Sequence, residues 1–116
     1  MSALAASVAA AIALGANPAE CDPGAANCES ATGRIVYVER VDPDGDGDAH
    51  FVLVGRGGVT APDLSVIDVE RPMRPDPLPR PGDLVSAAGP VYTGSYGQRQ
   101  IQATELRVAR ISRSSP

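Results

Sequence analysis

Four aspartates alternate with glycine and proline in one short segment: Asp42, Asp44, Asp46 and Asp48. The segment matches the opening of a calcium-binding loop, D-x-D-x-D-G, in which alternate carboxylates converge on a cation that prefers oxygen ligands. The twelfth position of such a loop requires a bidentate glutamate, and here it is Leu53. A looser, weak calcium site completed by carbonyls and water remains open. A solvated acidic turn is the simpler interpretation, because an Asp/Gly turn forms without a metal.

The remaining polar residues do not suggest catalysis. His50 is the only histidine, and Asp48 is the residue that would orient its ring. A lone histidine without a serine or cysteine nucleophile makes a poor catalytic base. The glycine-rich segment 55–58 lacks the lysine, serine and helix of a phosphate-binding loop. The sequence therefore predicts a protein that is not an enzyme and carries no cofactor beyond the possible calcium.

The composition indicates one small domain rich in turns. The chain has 116 residues, with 12 Gly, 11 Pro, three Tyr, one Phe and no Trp, so aliphatic side chains must build the core. Its net charge is −4 and its pI about 4.8. A nucleic-acid ligand is possible, but long-range attraction to phosphate is disfavoured.

The first 19 residues differ from the rest. Residues 3–16 form an almost unbroken run of small apolar residues, too short for a membrane span, which needs roughly 20. The run fits the core of a secretory signal, with a cleavage site ending at Ala16 or Ala19, although no lysine or arginine precedes it. The alternative is an Ala-rich helix docked on the domain. We favour export to the periplasm, cell envelope or exterior, with no transmembrane span in the mature protein.

Two cysteines follow directly, in a loop rich in Gly, Pro, Asn and Asp. An even cysteine count after a signal-like segment predicts a disulfide between Cys21 and Cys28. Two thiols without a nearby histidine are a poor zinc site. The segments are therefore a signal-like region (1–19), a disulfide-bearing loop (20–32), a β domain (33–111) and a polar tail (112–116).

Five strand-like runs divide residues 33–111: 33–41, 50–54, 64–69, 83–92 and 99–111. A proline-rich loop separates the third and fourth runs, and a hairpin loop follows the fourth. We expect a bulge or a sharp barrel bend at Gly89-Pro90, and a bulge in the last run, where the inward phase switches. We expect Tyr37 and Phe51 to be core residues. The other predicted buried residues are Val36, Val38, Val52, Leu53, Val66, Leu84, Val85, Ile101, Leu106 and Val108.

Three segments carry a family resemblance: Thr32-Gly-Arg-Ile-Val, Pro81-Gly-Asp-Leu-Val-Ser-Ala-Ala-Gly89, and Gln100-Ile-Gln-Ala with Leu106-Arg-Val108. The first places a glycine where a barrel strand bends, and the second opens a kinked fourth strand. Together they resemble the oligonucleotide/oligosaccharide-binding (OB) fold, a five-stranded barrel. The segment Asp46-Gly-Asp-Ala-His-Phe-Val-Leu53 is similar to one in small exported bacterial domains of this type. Many members place a helix where this chain has its proline-rich loop.

The resemblance implies a binding role. The ligand would be an unidentified protein, saccharide or small molecule, met outside the cytoplasm. Single-stranded nucleic acid is the first alternative, and a calcium-stabilised structural domain of the envelope is the second. The groove of an OB fold is formed by strands two and three with flanking loops. The candidate ligand-binding residues are Tyr96, Arg99, Arg56 and Arg107, which are spread along the chain, and Tyr96 and Arg99 beside the loop between the fourth and fifth strands come first.

The acidic turn gives the first testable prediction. If calcium binds without the bidentate glutamate, the dissociation constant should be on the order of 10⁻⁴–10⁻³ M. Calcium at ten times that constant would then stabilise the fold by about 1.4 kcal/mol. Thermal melting with calcium, or with magnesium at matched ionic strength, measures the effect. Equal shifts in the natural protein and in Asp44→Asn/Asp46→Asn would identify a solvated turn.

Overall fold

The computed structural model describes residues 18–39 and 47–111, and its secondary structure is almost entirely β-strand. The six strands are β1 (Cys28–Glu39), β2 (Ala49–Val54), β3 (Leu64–Val69), β4 (Leu84–Thr93), β5 (Arg99–Gln102) and β6 (Glu105–Ala109). One 3₁₀ turn, Arg71–Met73, follows β3. Residues 1–17 of the predicted signal-like or helical segment and the polar tail lie outside the described residues, and so do Asp42, Asp44 and Asp46.

Five of the strands close into a ring. The order is β1-β2-β3-β5-β4, and β1 pairs a second time with β4. The β3–β5 pair is parallel, and the other pairs are antiparallel. This connectivity confirms the predicted all-β, OB-like barrel. Strand β6 extends the sheet along the edge of β4 that faces away from β1.

Strand β1 is longer than predicted, because it pairs with two neighbouring strands. Its first half pairs with β4 and its second half with β2, so it begins at Cys28 and not at Gly33. The bend between the halves needs a residue without a side chain. A Cβ on Gly33 would lie 2.3 Å from the carbonyl oxygen of Val54. The glycine predicted at the bend is therefore required by this close approach.

The last predicted strand is broken in two, as its switch of phase indicated. The amides of Ala103 and Thr104 bond to the carbonyls of Asp68 and Ala88 between β5 and β6. Of the two alternatives expected at Gly89-Pro90, the bulge is wrong, because β4 keeps its register with β1 through both residues. On its other edge β4 changes partner there, from β6 to β5. Gly89 instead lies opposite the break, where a Cβ would be 1.9 Å from the carbonyl oxygen of Gln102.

The core prediction is right for some strands and wrong for others. Leu53, Val85, Ile101 and Phe51 are buried, and Val38, Leu106 and Val108 pack against the core from partly buried positions. The wrong assignments are Val36 and Tyr37, which are exposed, and Val52, Val66 and Leu84, which are half-buried.

In β1 and β3 the residues that point into the barrel differ from the predicted ones. A bulge between Ile35 and Tyr37 points Ile35 into the barrel and Tyr37 outward. On β3 the inward residues are Ser65, Ile67 and Val69, the opposite phase to the predicted one. Apolar residues occupy both faces of these strands, so alternation alone does not reveal which face is inside.

The proline-rich loop occupies the place of the helix found in many OB folds. Met73 and Leu78 pack against the core, and Pro79 is fully buried. The buried carboxylate of Asp83 accepts hydrogen bonds from the amides of Arg80 at 2.8 Å and Ile111 at 2.9 Å. The loop is therefore joined by hydrogen bonds to the segment that follows β6.

The segment before β1 is attached to the barrel by a disulfide and by several hydrogen bonds, among them those of Glu20 with Glu105 and of Asn27 with Val91. Cys21 and Cys28 form the predicted disulfide. Ala19 is buried, and its amide donates to Oγ of Ser86 at 2.8 Å, which also bonds Oγ1 of Thr32 at 2.6 Å. Within residues 18–39 and 47–111, no helix has the length and apolarity to cross a membrane.

Ser86→Ala tests this attachment. The substitution would leave the buried amide of Ala19 and the hydroxyl of Thr32 without their partner, which costs about 1–3 kcal/mol of unfolding free energy. Urea titration measures the loss. Ser30→Ala, at an exposed serine of β1, is the matched control and should change the stability by less than about 0.5 kcal/mol. Equal stability of the two variants would contradict the proposed attachment.

Candidate binding face

Five residues that lie directly opposite one another cross the outer surface of the barrel. They are Tyr37, Val52, Val66, Gln100 and Tyr92, contributed by β1, β2, β3, β5 and β4. Paired residues of a sheet point to the same face. We call this set the tyrosine row. Tyr37 is 56% exposed and Tyr92 53% exposed, and the two valines between them are half-buried.

The hairpin loop between β4 and β5 covers part of this row. The amide Nε2 of Gln98 donates to Oε1 of Gln100 at 3.0 Å, and the backbone amide of Tyr96 donates to Oε1 of Gln98 at 2.9 Å. Gln100 is buried beneath this loop. The loop therefore separates the exposed Tyr92 from Tyr37 and the two valines, and Val36 and Val54 are further exposed apolar residues near Tyr37.

A second row, two residues further along each strand, carries charge. It consists of Glu39, His50, Asp68 and Gln102. Nδ1 of His50 lies 2.8 Å from Oε1 of Glu39, and Nε2 lies 3.2 Å from Oδ1 of Asp68. The ring is thus held between two carboxylates. We call this set the charged row.

The carboxylates keep His50 protonated at neutral pH. Its hydrogen bond to Asp68 and the negative charges of Asp68 and Glu39 outweigh partial burial and raise the pKa of His50 to about 9. Oδ1 of Asp68 is buried, and its only close partner in the described structure is the His50 ring. The contact is long for a charged hydrogen bond, so it is chiefly an ion pair.

The predicted ligand residues are separated by the fold. Arg56 lies in the β2–β3 loop, Tyr96 is 89% exposed in the β4–β5 loop, and Arg99 opens β5. All three are at the end of the barrel where β2 ends, and the hydroxyl of Thr60 joins the two loops by donating to the carbonyl of Arg99. Arg107 lies apart from them on β6, where it pairs with Glu105 at 3.2 Å.

The metal prediction stays untested. Of the four aspartates only Asp48 is described, directly before β2. In the described ranges, 18–39 and 47–111, no three His, Cys, Asp or Glu residues are grouped so as to hold a metal ion.

Sequence reasoning missed the residues that define the face. The sequence places Tyr37 in the core, gives no role to Glu39 and Asp68, and offers Asp48 as the residue that would orient His50. The register of β1, β2 and β3 instead aligns Glu39, His50 and Asp68. The sequence does place one acidic residue in each of the two strands that neighbour the strand of the single histidine. These residues can be recognised as partners of the histidine only when the strand register is known.

Comparison with solved structures supports the fold. The crystal structure of the S. pombe Stn1-Ten1 complex matches with a TM-score of 0.50 and 11% sequence identity. The match covers 72% of this chain and 59% of that chain, so the present chain corresponds to a little more than half of its length. No protein-family profile matches the sequence, and no curated protein matches it. The strand topology of the present chain and this match together show an OB-like barrel.

The charged row predicts a pH dependence of stability. The folded pKa of about 9 exceeds the unfolded value of 6.5, so the stabilisation is complete below pH 6.5 and is lost as the pH rises through 9. Such a difference is worth about 3 kcal/mol for a buried group, and solvent screening of this partly exposed ring reduces it to about 1–2 kcal/mol.

Urea unfolding between pH 6 and pH 9.5 measures this loss. His50→Gln should remove the dependence, because His50 is the only histidine. Asp68→Asn should weaken it. A pH profile of His50→Gln that parallels that of the natural protein would contradict the assignment.

Proposed function

We propose that this chain is a non-catalytic binding domain that holds single-stranded nucleic acid across the tyrosine row, outside the cytoplasm. The observation that carries the proposal is the exposure of Tyr37 and Tyr92 on one row of the outer face. This is the face, around strands two and three, that OB folds use for ligands. The sequence alone favours a binding domain with an unspecified ligand. The outward position of Tyr37 makes single-stranded nucleic acid the ligand that we now favour.

Stacking supplies the affinity in this proposal. Single-strand binders place bases on aromatic side chains, and each stacked base is worth roughly 1–3 kcal/mol without regard to sequence. Tyr37 offers an exposed ring beside the half-buried Val52 and Val66. Bases are flat and largely apolar on their faces, so this combination of one ring and an aliphatic floor suits them.

Arginines at the end of the face supply limited phosphate contacts. Arg34, Arg56 and Arg99 are exposed at the end where β2 finishes. The net charge of −4 opposes a larger electrostatic contribution. Two or three phosphate contacts would give a slope of about −2 for log K against log salt with single strands. Weak salt dependence therefore distinguishes this binder from a basic one.

A protein partner is the second candidate. The matched structure is a complex of two proteins, Stn1 and Ten1. The exposed side chains of Val36 and Val54 beside Tyr37 favour it, because apolar patches on a surface often mark protein interfaces.

Two further features support the location and the absence of catalysis. The disulfide between Cys21 and Cys28, together with the signal-like segment, favours an oxidising compartment such as the periplasm, the envelope or the exterior. Both nitrogens of His50 face carboxylates, which favours a fixed charge over proton transfer.

Substitution of the tyrosines tests the function. Tyr37→Ala should weaken binding of a twelve-nucleotide oligo(dT) about tenfold, because one stacked base is lost. Tyr37→Phe is the matched control and should bind like the natural protein, since it keeps the ring. Tyr92→Ala should also weaken binding. Fluorescence anisotropy at several salt concentrations measures affinity and slope together.

Two outcomes would contradict the proposal. Equal affinity of Tyr37→Ala and Tyr37→Phe would place the strand elsewhere. Failure of the natural protein to bind any single strand at low salt would leave the protein partner as the better explanation of the apolar face.

A further inference from the structure

A carboxylate stands beside the exposed ring of Tyr37. Glu39 is two residues further along β1 and pairs with His50, as Tyr37 pairs with Val52. Both side chains therefore point to the outer face, from Cα positions roughly 7 Å apart along the strand. A base stacked on Tyr37 would have Glu39 as its neighbour along β1.

The carboxylate of Glu39 is held in place by its neighbours. The mostly buried Asp68 contacts Nε2 of His50, and Nδ1 of His50 contacts Oε1 of Glu39 at 2.8 Å. The protonated imidazole contacts one carboxylate through each nitrogen and so links Asp68 to Glu39. The Glu39 side chain is 34% exposed, and its contact with Nδ1 of His50 is made through Oε1. A carboxylate exposed to this extent still has room to accept hydrogen bonds from a ligand.

Placing a carboxylate on a face that binds phosphates costs affinity through repulsion. His50 offsets one of the two negative charges of Glu39 and Asp68, and the charged row keeps a net charge of −1. The row therefore makes a poor phosphate contact. A carboxylate there suits instead a ligand group that donates hydrogen bonds.

The edges of the bases differ in what they offer a carboxylate, which only accepts hydrogen bonds. Guanine presents two adjacent donors on its Watson–Crick edge, the N1 hydrogen and the N2 amino group. Adenine and cytosine present one amino group there, and thymine presents one imide hydrogen between two carbonyls. Only guanine can therefore give two parallel hydrogen bonds to the two oxygens of a carboxylate or to one oxygen in a forked contact. Single-stranded bases are recognised through this edge.

We propose that Glu39 binds the Watson–Crick edge of the base stacked on Tyr37 and selects guanine at that position, with His50 and Asp68 as positioning residues. The inference rests on the proposed function. It adds a specificity to a face that would otherwise bind any base.

Three oligonucleotides that differ at one base test the selectivity. The first is oligo(dT), the second has one central guanine, and the third has hypoxanthine in place of that guanine, which removes only the N2 amino group. We expect the guanine strand to bind about tenfold more tightly than oligo(dT), in line with the discrimination of a good two-bond contact. Hypoxanthine should lose most of that gain. One guanine per strand avoids structures formed by guanine runs.

Variants assign the preference to a residue. Glu39→Gln should reduce the ratio of guanine to thymine affinity to near one while keeping or improving oligo(dT) binding, since a negative charge is removed. Asp68→Asn and His50→Gln should lower the same ratio, which a merely structural role would leave unchanged. Glu105→Gln, at an acidic residue on β6 that pairs with Arg107, is the matched control and should retain the ratio. Melting curves confirm that each variant is folded.

The outcomes separate the two proposals. Equal binding of the three strands, or a guanine preference that survives Glu39→Gln, overturns the inference and leaves the function standing. If no strand binds at all, the function and the inference fall together.

Discussion

The structure depends on one strand that belongs to both sides of the barrel. Strand β1 closes the ring by pairing with β4 through its first half and with β2 through its second. The turn between the halves is possible because Gly33 lacks a side chain where the carbonyl of Val54 approaches. The bulge after Ile35 then sets the direction of every later side chain in the strand. The outward positions of Tyr37 and Glu39, and with them the whole candidate face, follow from this closure.

The charged row shows how a barrel can fix a polar group on an otherwise apolar surface. Three neighbouring strands each contribute one ionisable residue at the same level, so the sheet determines the spacing. Two carboxylates so near each other would repel, and the imidazolium between them turns the repulsion into two attractions. The strand register brings the three ionisable groups together, so their short side chains lose less conformational entropy than longer side chains would lose in reaching the same positions.

Local chemistry made part of this structure predictable. The bounds of β3, the disulfide and the need for Gly33 all follow from residue types within a few positions. The face did not follow, because residues 35–38 are apolar on both sides and the bulge is visible only against β2. Tyr37 was therefore placed in the core. The partners of His50 come from strands distant in sequence, and only the register identifies them.

The disulfide closes a short loop, but it also restrains the barrel itself. Cys28 is the first residue of β1 and lies opposite Pro90 of β4, so the covalent link ends inside the barrel wall and not in a loose appendage. The seam where the ring closes is consequently tied to the preceding segment. A cross-link restricts the unfolded chain, so the disulfide favours a folded state in which the start of β1 is held close to the segment that precedes it.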